Sequence, residues 1–163
     1  MSNTDSTQNA SSEAFSFSIK PILEAEKSVA ATLVQQSLEK ANQDAGKKLY
    51  PSSEADTLAF LEKVSECYGA YDASGNLMGV IAIEEDAVER IAVVPALWRR
   101  GIGRKLMAFA RTKFGAEYAD IFEENAGALQ FFEALGMSMF DETAPEPGDL
   151  LAENPHKIIH LMY

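Results

Sequence analysis

Apolar residues recur along the chain with two periods, and the switches between them outline its elements. Phe15, Phe17 and Ile19 alternate with Ser16, Ser18 and Lys20, which predicts a half-buried strand over 15–22 with Pro21 at its edge. From Leu23 to about Asp44 the spacing is helical. Ala30, Val34 and Leu38 make one line, Val29, Leu33 and Lys40 its neighbour, and Gly46 a stop. Ser53 followed by Asp56 has the form of a helix cap, predicting a second helix to about Val64. Strands over 67–72 and 77–83 flank the turn Ala73-Ser74-Gly75-Asn76, a hairpin signal. A strand over 88–94 follows the acidic turn Glu84-Glu85-Asp86. Ile102, Leu106, Phe109, Ala110 and Phe114 then mark an amphipathic helix. Strand 117–123, helix 125–135 ended by Gly136, strand 137–140, a long loop over 141–156 and strand 157–163 complete the order. The sum is β-α-α-β-β-β-α-β-α-β-β, a mixed α/β fold, and long loops such as 141–156 are often functional.

Composition narrows the field. The chain has 163 residues, enough for one domain with a real core, which we place at 15–163. Residues 1–14 (MSNTDSTQNASSEA) carry nothing to bury and read as a disordered polar tail, not a secretory signal. A net charge of −11 argues against nucleic acid and anionic membrane as partners, and no apolar run is long enough to span a bilayer. The single cysteine, Cys67, excludes an internal disulfide or a cysteine-rich zinc site and suits a cytoplasmic protein; no metal site is expected. Cys67 itself reads as a small buried apolar residue. Oligomeric state is open, a homodimer included.

Against this acidity one segment stands out. Arg99 to Lys113 holds six of the fourteen Lys and Arg residues and no acid. It opens on Gly101 and Gly103 directly after an apolar strand. Strand, glycine turn and helix start in that order bring bare backbone N–H groups and the positive end of a helix dipole to one point, an anion site. The third glycine of a dinucleotide fingerprint is missing, and no Lys-Ser or Lys-Thr of a triphosphate loop is present after the turn.

The stretch IAVVPALWRRGIGRKLM, Ile91 to Met107, resembles the acyl-CoA-binding motif of the GNAT family of N-acetyltransferases. NAGALQFFEALGM, Asn125 to Met137, resembles that family's second motif, and the order of elements is similar over nearly the whole globular part. The resemblance implies a central, mostly antiparallel sheet of six to seven strands, splayed at the cofactor site, with about four helices. It implies acetyl-CoA as co-substrate. The N–H groups from Arg100 through Gly101, Ile102 and Gly103 to Arg104 would hold the pyrophosphate. Arg99, Arg100, Arg104 and Lys105 would add charge. The pantetheine arm would pair with Ile91, Ala92, Val93 and Val94. Asn125 would cap its helix and touch the cofactor, and Phe132 would lie at the thioester end.

Two positions depart from the family pattern. Trp98 stands where Arg or Gln is common, and reads as a rim aromatic. Phe132 stands where Tyr is common, so the usual proton donor to the leaving thiolate is missing. Tyr118, His160 and Tyr163 are the stand-ins. A strand-end N–H, at Val93 or Val94, is the implied oxyanion donor. Glu89 is the candidate base: simple alternation puts it on the face of Ile91 and Val93, although it also reads as a solvated acid paired with Arg90. The first two helices and the loop 141–156 would border the acceptor groove. The acceptor is a small-molecule or protein amine, attacked directly in a ternary complex, and the sequence names none. The alternative is a fold-mate that binds coenzyme A with little transfer.

Overall fold

A computed structural model describes residues 16–145 and 156–163. The tail expected over 1–14, Phe15, and the middle of the expected loop, 146–155, lie outside the described residues. Seven strands form one sheet: β1 (Phe17–Pro21), β2 (Glu66–Asp72), β3 (Leu77–Glu84), β4 (Ala87–Val93), β5 (Tyr118–Phe122), β6 (Ser138–Thr143) and β7 (Ile158–Met162). Their order is β1-β2-β3-β4-β5-β7-β6, antiparallel throughout except for the β4–β5 pair. Four α-helices accompany it among the described residues: α1 (Lys27–Ala45), α2 (Glu54–Lys63), α3 (Ile102–Phe114) and α4 (Ala126–Ala134).

The sheet separates two apolar layers. On one face Ile81, Ile83, Val88 and Ile121 pack with Leu106 and Met107 of α3 and Phe132 of α4. On the other, Val80, Ala82 and Ala92 pack with Ala30, Val34 and Leu38 of α1 and Leu61 of α2. Of the two predicted lines on α1, Ala30, Val34 and Leu38 are buried, whereas Val29 is exposed. Leu23 does not open that helix: it is exposed and precedes a single 3-10 turn, Glu24–Glu26.

Besides a register shift between Ala70 and Tyr71 in the β2–β3 ladder, three features interrupt the regular pairing. The β4–β5 ladder holds only Ala87 opposite Tyr118 and Val88 opposite Ala119, after which the strands part. Beside that parting β4 bulges, since Ala82 faces Arg90 and Ile83 faces Val88, leaving Glu89 as the extra residue. A second bulge, in β6, makes Phe140 extra between Met139 and Asp141. That strand also runs to Thr143, three residues into the expected loop. Its extension is held by pairing with β7 and by a 2.5 Å hydrogen bond between Thr143 Oγ1 and His160 Nε2.

Candidate active site

The parting of β4 from β5 leaves one edge of β4 without a ladder. Val94 turns its N–H toward β3, donating to the Met78 carbonyl at 3.0 Å. Main-chain groups alternate sides along a strand, so Ala92 also spends its groups on β3, and Ile91 and Val93 face the parting. Of the four residues expected to pair with a pantetheine arm, only Ile91 and Val93 therefore direct main-chain groups to the open side, and the Val94 N–H is already bonded to Met78. Val93 keeps its N–H on the open side. Its carbonyl accepts the Trp98 indole N–H at 2.7 Å, so the rim aromatic is also a hydrogen-bond donor to the edge of β4.

At the end of β4, Pro95–Leu97 make a 3-10 turn, and Arg99 (φ 65°) and Gly101 (φ 84°) both adopt left-handed backbone. Gly101 takes that conformation at no steric cost, which Arg99 does not. The chain then enters α3 with no side-chain cap. The first helical bond at this end is Lys105 N–H to Gly101 carbonyl at 3.1 Å, so the N–H groups of Ile102, Gly103 and Arg104 precede the ladder. Arg99, Arg100, Arg104 and Lys105 are exposed around them. Gly103 serves packing: a Cβ there would meet the Phe131 ring at 3.0 Å, so α4 seats directly against the turn. Phe132 itself is 4% exposed and belongs to the core.

Across the sheet face covered by α1 and α2, a cavity of about 730 Å3 runs along the parting. The segment joining α1 to α2 forms one wall, with Tyr50 at its centre; Glu89, Arg90, Tyr118, Asp120 and Phe140 line the rest. Tyr50 is the residue that sequence reasoning missed. Its N–H donates to Asn42 Oδ1 at 2.9 Å and its carbonyl accepts from Asn42 Nδ2 at 3.2 Å. Its hydroxyl accepts from Asn125 Nδ2 at 3.0 Å, and its ring packs on Phe122 at 5.2 Å. Asn125 meanwhile caps α4, its side chain accepting from Ala128 N–H at 3.2 Å. Its amide thus braces the cavity wall. The only signal for this in the sequence is an isolated Tyr-Pro eight residues after Asn42, which is too common to single out.

The catalytic candidates separate clearly. Glu89 lines the cavity, exposed, but the bulge and not alternation puts it there. The pairing expected with Arg90 is absent among the described side chains: Arg90 makes only a 3.4 Å contact to the Glu89 carbonyl and turns to the rings of Tyr50 and Phe60. Tyr118 lines the cavity where β4 and β5 still pair, against Phe140 at 5.8 Å. His160 is engaged on both nitrogens, by Asp120 at 2.6 Å and Thr143 at 2.5 Å. Tyr163 lies under the Arg111 guanidinium at 3.8 Å, outside the cavity lining. Cys67 is buried, and burial pushes its thiol up to about 11, so it carries no thiolate near neutrality. Among the described residues no cluster of His, Cys, Asp and Glu is arranged to hold a metal ion, and no helix is long and apolar enough to cross a membrane.

A turn of uncapped donors ringed by cations, next to an unpaired strand edge, fits a diphosphate with an amide-bearing arm. The class itself is shown by similarity to known proteins. The model of the acetyltransferase (GNAT) family matches residues 36–137, more than half of the chain, which therefore belongs to that family of acyltransferases. Peptidyl-lysine N-acetyltransferase YiaC of Escherichia coli (strain K12) is 28% identical over 72 residues, 44% of this chain. The chain spans about half the length of that relative, 49%. Apo YjaB from Escherichia coli superposes with a TM-score of 0.72 at 15% identity, covering 91% of this chain and 97% of that one. Spermidine N-acetyltransferase from Vibrio cholerae, solved with CoA and spermine, gives 0.63 at 13% identity over 90% and 94%.

Proposed function

We propose that this chain is a cytoplasmic N-acetyltransferase that moves an acetyl group from acetyl-CoA to an amine in a ternary complex, without an acyl-enzyme. The observation that carries the reading is the pairing of the uncapped start of α3 with the open edge of β4. The N–H groups of Ile102, Gly103 and Arg104 receive the diphosphate, and successive amides suit its several oxygens. Arg99, Arg100, Arg104 and Lys105 add charge and reach the 3′-phosphate at the rim. The Ile91 main chain and the Val93 carbonyl, which has a second lone pair beside its bond from Trp98, pair with the pantetheine amides and leave the Val93 N–H for the thioester, the activated acyl group that coenzyme A supplies, at the head of the cavity.

Glu89 takes a proton from the acceptor ammonium through water. The freed nitrogen adds to the thioester carbon while the Val93 N–H donates to the developing oxyanion. Collapse breaks the C–S bond, forms the amide and releases coenzyme A as thiolate. The second nitrogen proton passes to that thiolate or to solvent. The position that holds Tyr in the family is Phe132, so a protein acid at the sulfur has to come from elsewhere, and Tyr118, on the cavity wall, is the nearest fit. General acid help is typically worth about 100- to 10,000-fold, so its loss slows departure without forbidding it.

Phe132 also supports a second reading, a coenzyme A-binding module with little transfer. Thiol release from acetyl-CoA across a panel of amines separates the two. A transferase releases thiol with at least one amine, and Glu89→Gln lowers kcat by about 100-fold while flattening the acid limb of the pH profile. Tight cofactor binding with no thiol release from any amine would establish the module instead.

A further inference from the structure

The cavity holds charged side chains of both signs, and their partners divide them unevenly. Asp56 is committed to the start of α2, accepting from the Ser53 N–H and hydroxyl, each at 2.9 Å. Asp120 is bound to His160 at 2.6 Å. Arg90 and Glu89 are left, and neither has an ion-pair partner among the described residues. Arg90 is half-buried on the cavity wall with its guanidinium over the Tyr50 ring at 5.7 Å and the Phe60 ring at 5.6 Å. Two rings beside a guanidinium attract its charge but take none of its N–H donors, which stay available for a carboxylate that can bind through two parallel bonds. Its one hydrogen bond among the described residues, to the Glu89 carbonyl, is long at 3.4 Å. Tyr50 is itself locked by Asn42 and Asn125, so the platform under Arg90 is rigid.

A half-buried cation with idle donors is costly unless an anion completes it. We infer that Arg90 binds a carboxylate on the acceptor, making the acceptor a small amino acid whose ammonium lies toward Glu89 and whose apolar or aromatic side chain rests among Tyr118, Phe122 and Phe140. Glu89 and Arg90 are consecutive in sequence, and the bulge at Glu89 lets both line one cavity. That juxtaposition matches the opposite charges of a zwitterion. A polyamine would put its second cation against Arg90, and in a protein amine the residue's own α-carboxyl is tied up in a peptide bond. The inference rests on the transferase reading and specifies its acceptor.

The test compares amino acids with their decarboxylated partners: L-phenylalanine with phenethylamine, and L-leucine with 3-methylbutylamine. Thiol release with acetyl-CoA is expected to favour the amino acid of each pair. Arg90→Gln is expected to raise its KM by about 10- to 100-fold and leave KM for the bare amine and the affinity for coenzyme A within twofold. Arg90→Lys, which keeps the charge and loses the fork, is expected to fall between. Equal use of both members of each pair, or unchanged discrimination in Arg90→Gln, would overturn the inference while leaving the transferase standing. Should no amine release thiol, the transferase reading fails, and the carboxylate site is read separately by calorimetry. N-acetyl-L-phenylalanine is titrated into the coenzyme A-loaded protein: heat from wild type and none from Arg90→Gln supports the site, and no heat from wild type refutes it.

Discussion

Helices α2 and α3 begin in opposite ways. At α2, Ser53 accepts from the Asp56 N–H, and the Asp56 carboxylate accepts from the Ser53 N–H and hydroxyl, a closed box that satisfies the helix start from within. At α3 the N-cap is Gly101, with no side chain to offer, and the acids of the first turn are replaced by cations. Both helices face the same electrostatic problem of exposed N–H groups at a positive dipole end. One resolves it with its own residues and so contributes to stability. The other leaves it open, and those N–H groups are the ones we propose for the coenzyme A diphosphate.

Reversing that contrast gives the largest expected effect. Gly101→Asp puts a carboxylate at the mouth of the α3 turn, in a conformation that Asp tolerates better than most residues. Affinity for coenzyme A should fall by about 100-fold in calorimetry through repulsion and competition for the N–H groups, and the melting temperature should also fall, since a φ of 84° strains any residue with a Cβ. An affinity within twofold of wild type would place the diphosphate elsewhere.

Uncapping α2 is the converse and is smaller. Ser53→Ala should lower the free energy of unfolding by about 1 kcal/mol in denaturant titration, with coenzyme A affinity unchanged. The Asp56 carboxyl is held below its ordinary value of 3.8 by the hydrogen bonds from the Ser53 main chain and then its side chain. A depressed folded value means that the box contributes fully above about pH 4 and is lost as the pH falls through the folded value. The stability difference between wild type and Ser53→Ala should therefore shrink in strong acid.

The smallest effect is a deliberate blank. Cys67, buried and pushed up to about 11 by that burial, should resist iodoacetamide at pH 7.5 in the folded protein and react on denaturation. Cys67→Ala should leave turnover within about twofold, since no step runs through the thiol; loss of activity in a variant that still folds would reopen the covalent route.

How much of this the chain displays before folding differs between the two layers of the site. The proposed cofactor side is legible because its signals are local: Gly101, Gly103 and four cations fall within Arg99 to Lys105. The capping pair Ser53 and Asp56 is legible for the same reason. The acceptor side is not. Glu89 and Phe140 line the cavity through bulges, each an extra residue that a strict two-residue period cannot register. Alternation therefore places Glu89 with Ile91 and Val93, and the separate reading as a solvated acid pairs it with Arg90, when the folded strand does neither. Tyr50 joins Asn42, Arg90, Phe122 and Asn125 across as many as 75 positions, and nothing in its own neighbourhood announces that. Phe132, legible only through a motif, lies in the core, while its neighbour Phe131 meets the turn at Gly103.

The central claim is that backbone amides at the start of α3 and the open edge of β4 hold the cofactor, and amide-resolved NMR during a coenzyme A titration tests it most directly. The N–H resonances of Ile91, Val93, Ile102, Gly103 and Arg104 should shift together and saturably, with Val94, whose N–H is bonded to Met78, moving far less. Saturation with the Ile102–Arg104 amides unmoved and the largest shifts elsewhere in the sheet would contradict the account.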